Sequence, residues 1–399
     1  MLDTPRANRL HIAIFGRRNA GKSSLINAIT GQKIALVSEH AGTTTDPVYK
    51  AMELLPIGPI VMIDTAGLDD EGALGELRVQ KTKEVMDKTD LALLVFTPEN
   101  MSFSLENEWY NELKLRKIPT IGVINKCEGQ NINLQTYEEK FQIPFVKVSA
   151  REGINVGKLK EKIQENAPLD FERETILGDI IKQKDLVLLV APQDIQAPKG
   201  RLILPQVQVL RDVLDNHAQA FTVTDAELKD ALGILNKKPD LVVTDSQVFK
   251  KVNEILPSDV ELTSFSILMA RYKGELEIFV KGAKAIDDLK PGDKVLIAEA
   301  CTHHALKGDI GREKLPNWLE GKVGGKLDIT VNSGVDFPEN LSEYKLIVHC
   351  GACMFNRKQL MTRIMRAMDQ NVPITNYGTA IAHINGILDR TTKMFKFND

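Results

Sequence analysis

The residues Gly16-Arg17-Arg18-Asn19-Ala20-Gly21-Lys22-Ser23 have the types and spacing of a loop that cradles phosphate. Glycines let such a loop curl with several backbone N–H groups turned inward, and the helix that follows adds positive potential. The context fits, because the loop leaves the apolar run HIAIF and opens the helical pattern SSLINAIT. In that geometry Lys22 bridges the β- and γ-phosphates and Ser23 ligates Mg²⁺. Gly16, Asn19, Ala20, Gly21 and Ser24 complete the candidate phosphate contacts. Asp64-Thr65-Ala66-Gly67 follows the run IVMI, where Asp64 would hold Mg²⁺ through water and the Gly67 N–H would sense the γ-phosphate. Asn125-Lys126-Cys127-Glu128 follows PTIGVI with the look of a guanine-reading loop, and Ser149-Ala150 after PFVKV is placed to back the base. Gly42-Thr43-Thr44-Thr45-Asp46 lies between the first loop and Asp64, where a switch segment belongs. Lys22, Ser23, Thr44, Asp64 and Gly67 are therefore the candidate catalytic residues. A chance glycine-rich turn would not be followed by further motifs in order, each at the carboxyl end of an apolar run. Together they imply GTP binding and hydrolysis. The guanine loop ends in Glu128 rather than Asp. The longer carboxylate still accepts from guanine, but the base or the backbone must adjust.

A second concentration of chemistry lies late in the chain. Cys301-Thr302-His303-His304 follows the run KVLIAEA, and His349-Cys350-Gly351-Ala352-Cys353 follows YKLIV. Cys350 and Cys353 have the spacing at which two thiolates reach one metal from a tight turn. If the two preceding strands are parallel neighbours, the Cys301 thiolate joins them at one sheet edge. A lone Cys is usually a small buried hydrophobe, and that reading is kept for Cys127. It does not suit a group holding three of the four cysteines and three of the seven histidines. Three thiolates with an imidazole suit structural zinc; they also suit a [4Fe–4S] cluster whose fourth iron takes another ligand. Spacing alone does not decide between the two.

The elements that must position these groups follow from periodicity. Apolar runs alternate with helical patterns from about Leu10 to Ala167, which argues for an α/β fold with helices on both faces of a mainly parallel sheet. The alternation resumes on a smaller scale through DLVLLVAP, AQAFTVT and DLVVTD, and again through KVLIAEA and KLIVHC. A long amphipathic helix is expected at Arg357–Asp369. This predicts a P-loop domain over residues 1–168 and two smaller α/β domains over 169–264 and 265–399. A chain of 399 residues is long enough for separate cores. Its net charge of −3 lacks the basic surplus typical of nucleic-acid binders. The start of the chain does not read as a signal peptide, and no apolar run is long enough to span a membrane. A cytoplasmic protein is expected, with its cysteines reduced or ligating rather than disulfide-bonded.

The stretches GRRNAGKSSLINA, GTTTD and DTAGL resemble the TrmE–Era–EngA group of GTPases. The resemblance implies that Thr44 is the switch threonine on Mg²⁺. It also implies that Asn19 helps hold a K⁺ near the phosphates, as in potassium-activated members. Leu68 stands where a Ras-like protein has its water-orienting glutamine, so hydrolysis is expected to be slow and to use other groups. With the middle α/β segment and the pattern Cys-x-His…His-Cys-x-x-Cys added, the whole chain resembles the HydF family of [FeFe]-hydrogenase maturation GTPases. That resemblance implies a [4Fe–4S] cluster on Cys301, Cys350 and Cys353, with His303, His304 or His349 as an exchangeable ligand. It also implies a scaffold that carries a diiron precursor to apo-hydrogenase, two radical-SAM maturases as upstream partners, and a homodimer formed by the middle domain. The competing expectations are an Era- or EngA-like GTPase in RNA or ribosome assembly, and a GTPase switch stabilised by zinc.

Overall fold

Continuous runs of branched apolar residues build three sheets, and helices cover their faces. The computed structural model describes residues 4–31, 47–67, 73–99, 102–130, 132–168, 175–193, 202–300 and 309–397. The chain separates into two compact units, Met1–Phe171 and Glu172–Asp399. The first unit runs β1 (Leu10–Gly16), α1 (Lys22–Thr30), β2 (Val48–Leu54), β3 (Gly58–Asp64), α2 (Ala73–Met86), β4 (Leu91–Phe96), α3 (Ser104–Leu115), β5 (Thr120–Ile124), α4 (Gln135–Phe141), β6 (Phe145–Lys147) and α5 (Val156–Asn166). Its sheet has the order β2-β3-β1-β4-β5-β6, parallel throughout except for the β2–β3 pair. Side chains alternate across it. Leu10, Ile12 and Ile14 pack with Leu25, Ile29, Leu159 and Ile163 of α1 and α5. Ala13 and Phe15 face Met86, Trp109, Leu113 and Phe141 on the other side. Each fully buried Leu, Ile, Phe or Met among these contributes roughly 1.5–3 kcal/mol. An aromatic cluster closes the second face, with Phe96 edge-on to Phe141 at 5.1 Å. Gly122 has no side chain because the Phe145 ring lies where a Cβ would stand.

The second unit runs β7 (Leu186–Val190), α6 (Leu204–Asp215), β8 (Gln219–Val223), α7 (Leu228–Ile234), β9 (Leu241–Thr244), α8 (Phe249–Ile255), β10 (Glu261–Ser264), α9 (Phe265–Lys273), α10 (Leu276–Lys284), β11 (Lys294–Glu299), α11 (Leu315–Val323), β12 (Asp328–Ser333), β13 (Leu346–His349), α12 (Arg357–Asp369), β14 (Ile374–Asn376), α13 (Tyr377–Ile384) and α14 (Leu388–Thr392). These form two wholly parallel four-stranded sheets, β10-β9-β7-β8 and β12-β11-β13-β14. One continuous core, from Ile176 to Phe395, serves both. The α/β architecture with mainly parallel sheets is as expected. The sequence did not announce β2, β10, β12 and β14. Each is an edge strand, and β2 and β12 are only partly buried, so neither shows an unbroken apolar run. No helix among the described residues is long and apolar enough to cross a membrane.

One buried histidine gives the first unit a pH dependence. Burial lowers the His11 imidazole from 6.5 to about 4. Its Nδ1 lies 2.8 Å from the Arg9 carbonyl, and the His11 backbone N–H donates to Asp90 at 2.8 Å. The Asp90 carboxylate is 3.7 Å from the ring, yet loss of hydration outweighs its attraction. The unfolded chain therefore binds a proton more readily than the folded unit. This contribution to stability is complete above about pH 6.5 and falls as pH drops towards 4, by roughly 2–3 kcal/mol at the lower end. Denaturation can be followed by Trp109 fluorescence in a Trp318→Phe background. It should lose more stability between about pH 7 and about pH 5 than the same protein carrying His11→Asn. Equal losses would refute the assignment.

Candidate functional site

β1 delivers the chain into the loop Gly16–Gly21, and α1 begins at Lys22. Gly21 adopts φ +87°, and a Cβ there would strike the Asn125 amide nitrogen, so glycine is required on both counts. The Lys22 ammonium folds over the loop, 2.8 Å from the Gly16 carbonyl and 2.9 Å from that of Arg17. The Ser23 hydroxyl donates to Asp64 Oδ2 at 2.5 Å, which joins the loop to the end of β3. Burial pushes the Asp64 carboxyl up from its ordinary value, against the Ser23 hydrogen bond and the Lys22 and Lys50 charges. Gly67 passes so close to Arg18 that a Cβ would stand 3.0 Å from its backbone nitrogen. Arg17 is anchored from outside the motif, since its guanidinium donates to both Glu106 oxygens at 2.6 and 3.1 Å. Glu106 lies on α3 and is itself buried.

The base-reading segments converge on the same edge. The Asn125 amide donates to the Ala20 carbonyl at 2.9 Å, while its oxygen accepts from the Ala150 N–H at 3.1 Å. One side chain thus ties together the phosphate loop and both loops expected to hold guanine. The Ser149 hydroxyl donates to the Glu128 carboxylate, and the Glu152 N–H donates to Ser149 Oγ at 3.1 Å. The extra methylene of Glu128 is taken up by this fold-back. The serine hydroxyl also holds the Glu128 carboxyl below its ordinary value. Lys126 is exposed with φ +61°, Ser24 is half-buried on α1, and Asn19 is exposed in a left-handed conformation. Cys127 is buried, and burial pushes its thiol up, in keeping with a packing role. Thr44 with its neighbours, and Leu68, lie outside the described residues.

In the second unit β11 and β13 are parallel neighbours, with Ala298 opposite His349. The condition set for the cysteines to meet at one sheet edge is fulfilled by the strands. Cys301, His303 and His304 themselves lie outside the described residues. Cys350 and Cys353 are half-buried just beyond β13. Cys350 Sγ accepts N–H groups from Ala300 at 3.1 Å and Ala352 at 3.5 Å, donors that offset negative charge on sulfur. Ala352 turns the loop with φ +51°, a conformation costly for a residue with a Cβ. Three carbonyls of this loop, those of Ala352, Cys353 and Phe355, accept from the buried Lys273 ammonium at 3.3, 3.2 and 2.9 Å.

His349 is fully buried and acts as a strut in this arrangement. Its Nδ1 donates to the Cys350 carbonyl at 2.9 Å, and its Nε2 accepts from Arg363 at 3.1 Å, the tautomer following from these partners. Burial, and then the Arg363 charge, lower the imidazole to about 3. Both ring nitrogens are engaged within the protein, so the candidate exchangeable ligand is not directed at a metal here. Among the described residues no group of three or more His, Cys, Asp or Glu is arranged to hold a metal ion. The two described cysteines nevertheless fit a thiolate-bound centre, because the turn presents two soft donors, the Cys350 sulfur already accepting two N–H groups, while its carbonyls hold a cation. Sequence reasoning missed Glu106, Lys273 and Arg363, which carry no motif of their own; Glu106 and Lys273 also lie far along the chain from the loops they support.

Comparison with known proteins follows this division of the chain. A family model described as 50S ribosome-binding GTPase matches residues 11–126. Models described as Hydrogen maturase F dimerization domain and Hydrogen maturase F tetramerization domain match residues 176–274 and 277–394. The tRNA modification GTPase MnmE of Legionella pneumophila is 36% identical over 226 residues, covering 54% of this chain and 49% of that protein. The GTPase Era of Clostridium acetobutylicum is 31% identical over 196 residues, covering 45% of this chain and 66% of that protein. A crystal structure of Era with MgGDPNP and a 16S ribosomal RNA fragment covers 59% of this chain and 90% of its own, at 21% identity and a TM-score of 0.37. The chain spans about half the length of the MnmE relatives it matches. The two hydrogen maturase F models together take in more than half of the chain, behind a first unit that is a P-loop GTPase domain. On that combination the chain belongs to the hydrogen maturase F family.

Proposed function

We propose that this chain hydrolyses GTP in its first unit and carries an iron–sulfur centre in its second. It would serve as the scaffold that delivers a diiron precursor to apo-[FeFe]-hydrogenase. The observation that carries the reading is the Cys350 sulfur. It takes two backbone N–H groups beyond β13, inside the region that matches the hydrogen maturase F tetramerization model. In the first unit Lys22 would engage the phosphates, Ser23, Thr44 and Asp64 would hold Mg²⁺, which would neutralise charge on the phosphates, and the Gly67 N–H would serve the γ-phosphate. Asn125, Lys126, Glu128, Ser149 and Ala150 hold guanine. Asn19 offers its carbonyl to K⁺.

In the second unit Cys301, Cys350 and Cys353 would hold a [4Fe–4S] cluster. When bound, it supplies an anionic one-electron centre with one position free of thiolate. His303 or His304 remains the candidate for that position. The two oligomerisation models support assembly as a homodimer or a higher oligomer. The upstream partners in this reading are two radical-SAM maturases, and the site of action is the cytoplasm.

Anaerobic reconstitution with iron and sulfide tests the central claim. The expected product is brown, contains both elements, and loses the cluster in Cys350→Ser and Cys353→Ser. A colourless protein that retains zinc would overturn it. Hydrolysis should fall by about 10²-fold or more in Ser23→Ala, because that change removes a metal ligand at the reacting phosphate. It should run faster in K⁺ than in Na⁺ at equal ionic strength; a Ser23→Ala protein with the wild-type rate would show that the P-loop is misassigned. Ser149→Ala frees the Glu128 carboxylate to swing away and should narrow the preference for GTP over ITP. An unchanged ratio of the two affinities would mean that the fold-back plays no part in reading the base.

A further inference from the structure

Lys273 is the last residue of α9 and falls within the region matching the dimerization model, yet its ammonium serves the cysteine loop. The side chain is 2% exposed, and the three carbonyls it binds belong to the turn that carries Cys350 and Cys353. The contact is reciprocated from the loop side. Arg357, which opens α12, donates to the Gly274 carbonyl at 2.9 Å and to Glu275 at 2.7 Å. α9 in turn packs against α12 and α13.

Three carbonyl oxygens that point towards one another repel, and a compact ammonium with three separate donors satisfies all of them at once. Arginine, a planar fork, does not reproduce that geometry. The same contacts hold the turn at Ala352, whose left-handed backbone would otherwise relax.

We propose that Lys273 is a positioning residue for the metal centre of the cysteine loop. It fixes the relative placement of Cys350 and Cys353 and sets an ammonium on the carbonyls of the turn that carries their sulfurs. The proposal deepens the iron–sulfur reading of that loop and rests on it. A centre held by thiolates becomes more negative when reduced, so a nearby cation raises its reduction potential. A lysine that merely satisfied carbonyls would affect stability and leave the potential where it was.

The test uses the full-length protein, reconstituted anaerobically with iron and sulfide, with iron content and an EPR-monitored redox titration as readouts. Lys273→Gln keeps an amide donor and loses the charge; it should assemble a cluster whose midpoint potential is more negative than that of the wild type. Lys273→Arg keeps the charge; it should hold the potential near the wild-type value while lowering iron content or altering the EPR line shape. A Lys273→Gln protein with wild-type potential and line shape overturns the proposal. If that variant does not fold, Lys273→Arg decides alone: wild-type iron content and an identical spectrum overturn the proposal, and a change in either supports it. A wild type that assembles no cluster overturns the iron–sulfur reading and this proposal with it. A wild type that assembles one beside indifferent variants overturns this proposal only.

Discussion

Strands β1, β4, β5, β7 and β13 are buried along their whole length, because helices lie on both faces of every sheet. A strand covered on both sides has nowhere to place a polar side chain without a partner. The chemistry is therefore displaced to the loops at the carboxyl ends. There the parallel arrangement brings several loops to one edge. Gly16 leaves β1 beside Val95 of β4, and Asp64, Asn125 and Ser149 stand at or just beyond the ends of β3, β5 and β6. In the second unit the ends of β11 and β13 lie side by side in register. Everything that could bind a ligand inherits its position from that burial.

The same constraint explains what could be read from the sequence. Central strands need continuous apolar runs, so β1, β3, β4, β5, β7, β9, β11 and β13 were legible. The loops that follow them need fixed glycines, lysines or cysteines, so the motifs were legible as well. Among the edge strands, β6 and β8 showed as the runs PFVKV and AQAFTVT, but β2, β10, β12 and β14 did not. β2 reads Val-Tyr-Lys-Ala-Met-Glu-Leu with only two positions buried, and β14 is three residues long. The supports of the site were invisible for a different reason. Glu106, Lys273 and Arg363 are ordinary residues of amphipathic helices in the sequence, and only folding reveals that their charged ends turn inward. His349 shows the converse. Its place next to Cys350 invited a ligand reading, whereas its burial and its two hydrogen bonds make it a brace.

Both units brace their loops, but with different chemistry. In the first a neutral amide, Asn125, ties three loops together, and the buried Glu106 carboxylate on α3 anchors Arg17. The second uses buried cations. Lys273 binds three carbonyls, and Arg363 binds His349 and the Gly334 carbonyl while stacking on Phe355 at 4.5 Å. Taking a charge out of water costs several kcal/mol, and carbonyl dipoles compensate it only in part. A loop built this way is most stable when a negative centre completes the balance. Binding that favours the folded form stabilises it in turn. The cations come from α9 and α12, which pack against each other, so the cysteine turn and the helix that closes the dimerization region share one set of contacts. The cysteine turn is thereby tied through Lys273 to α9, which with α10 leads from β10 of one parallel sheet to β11 of the other.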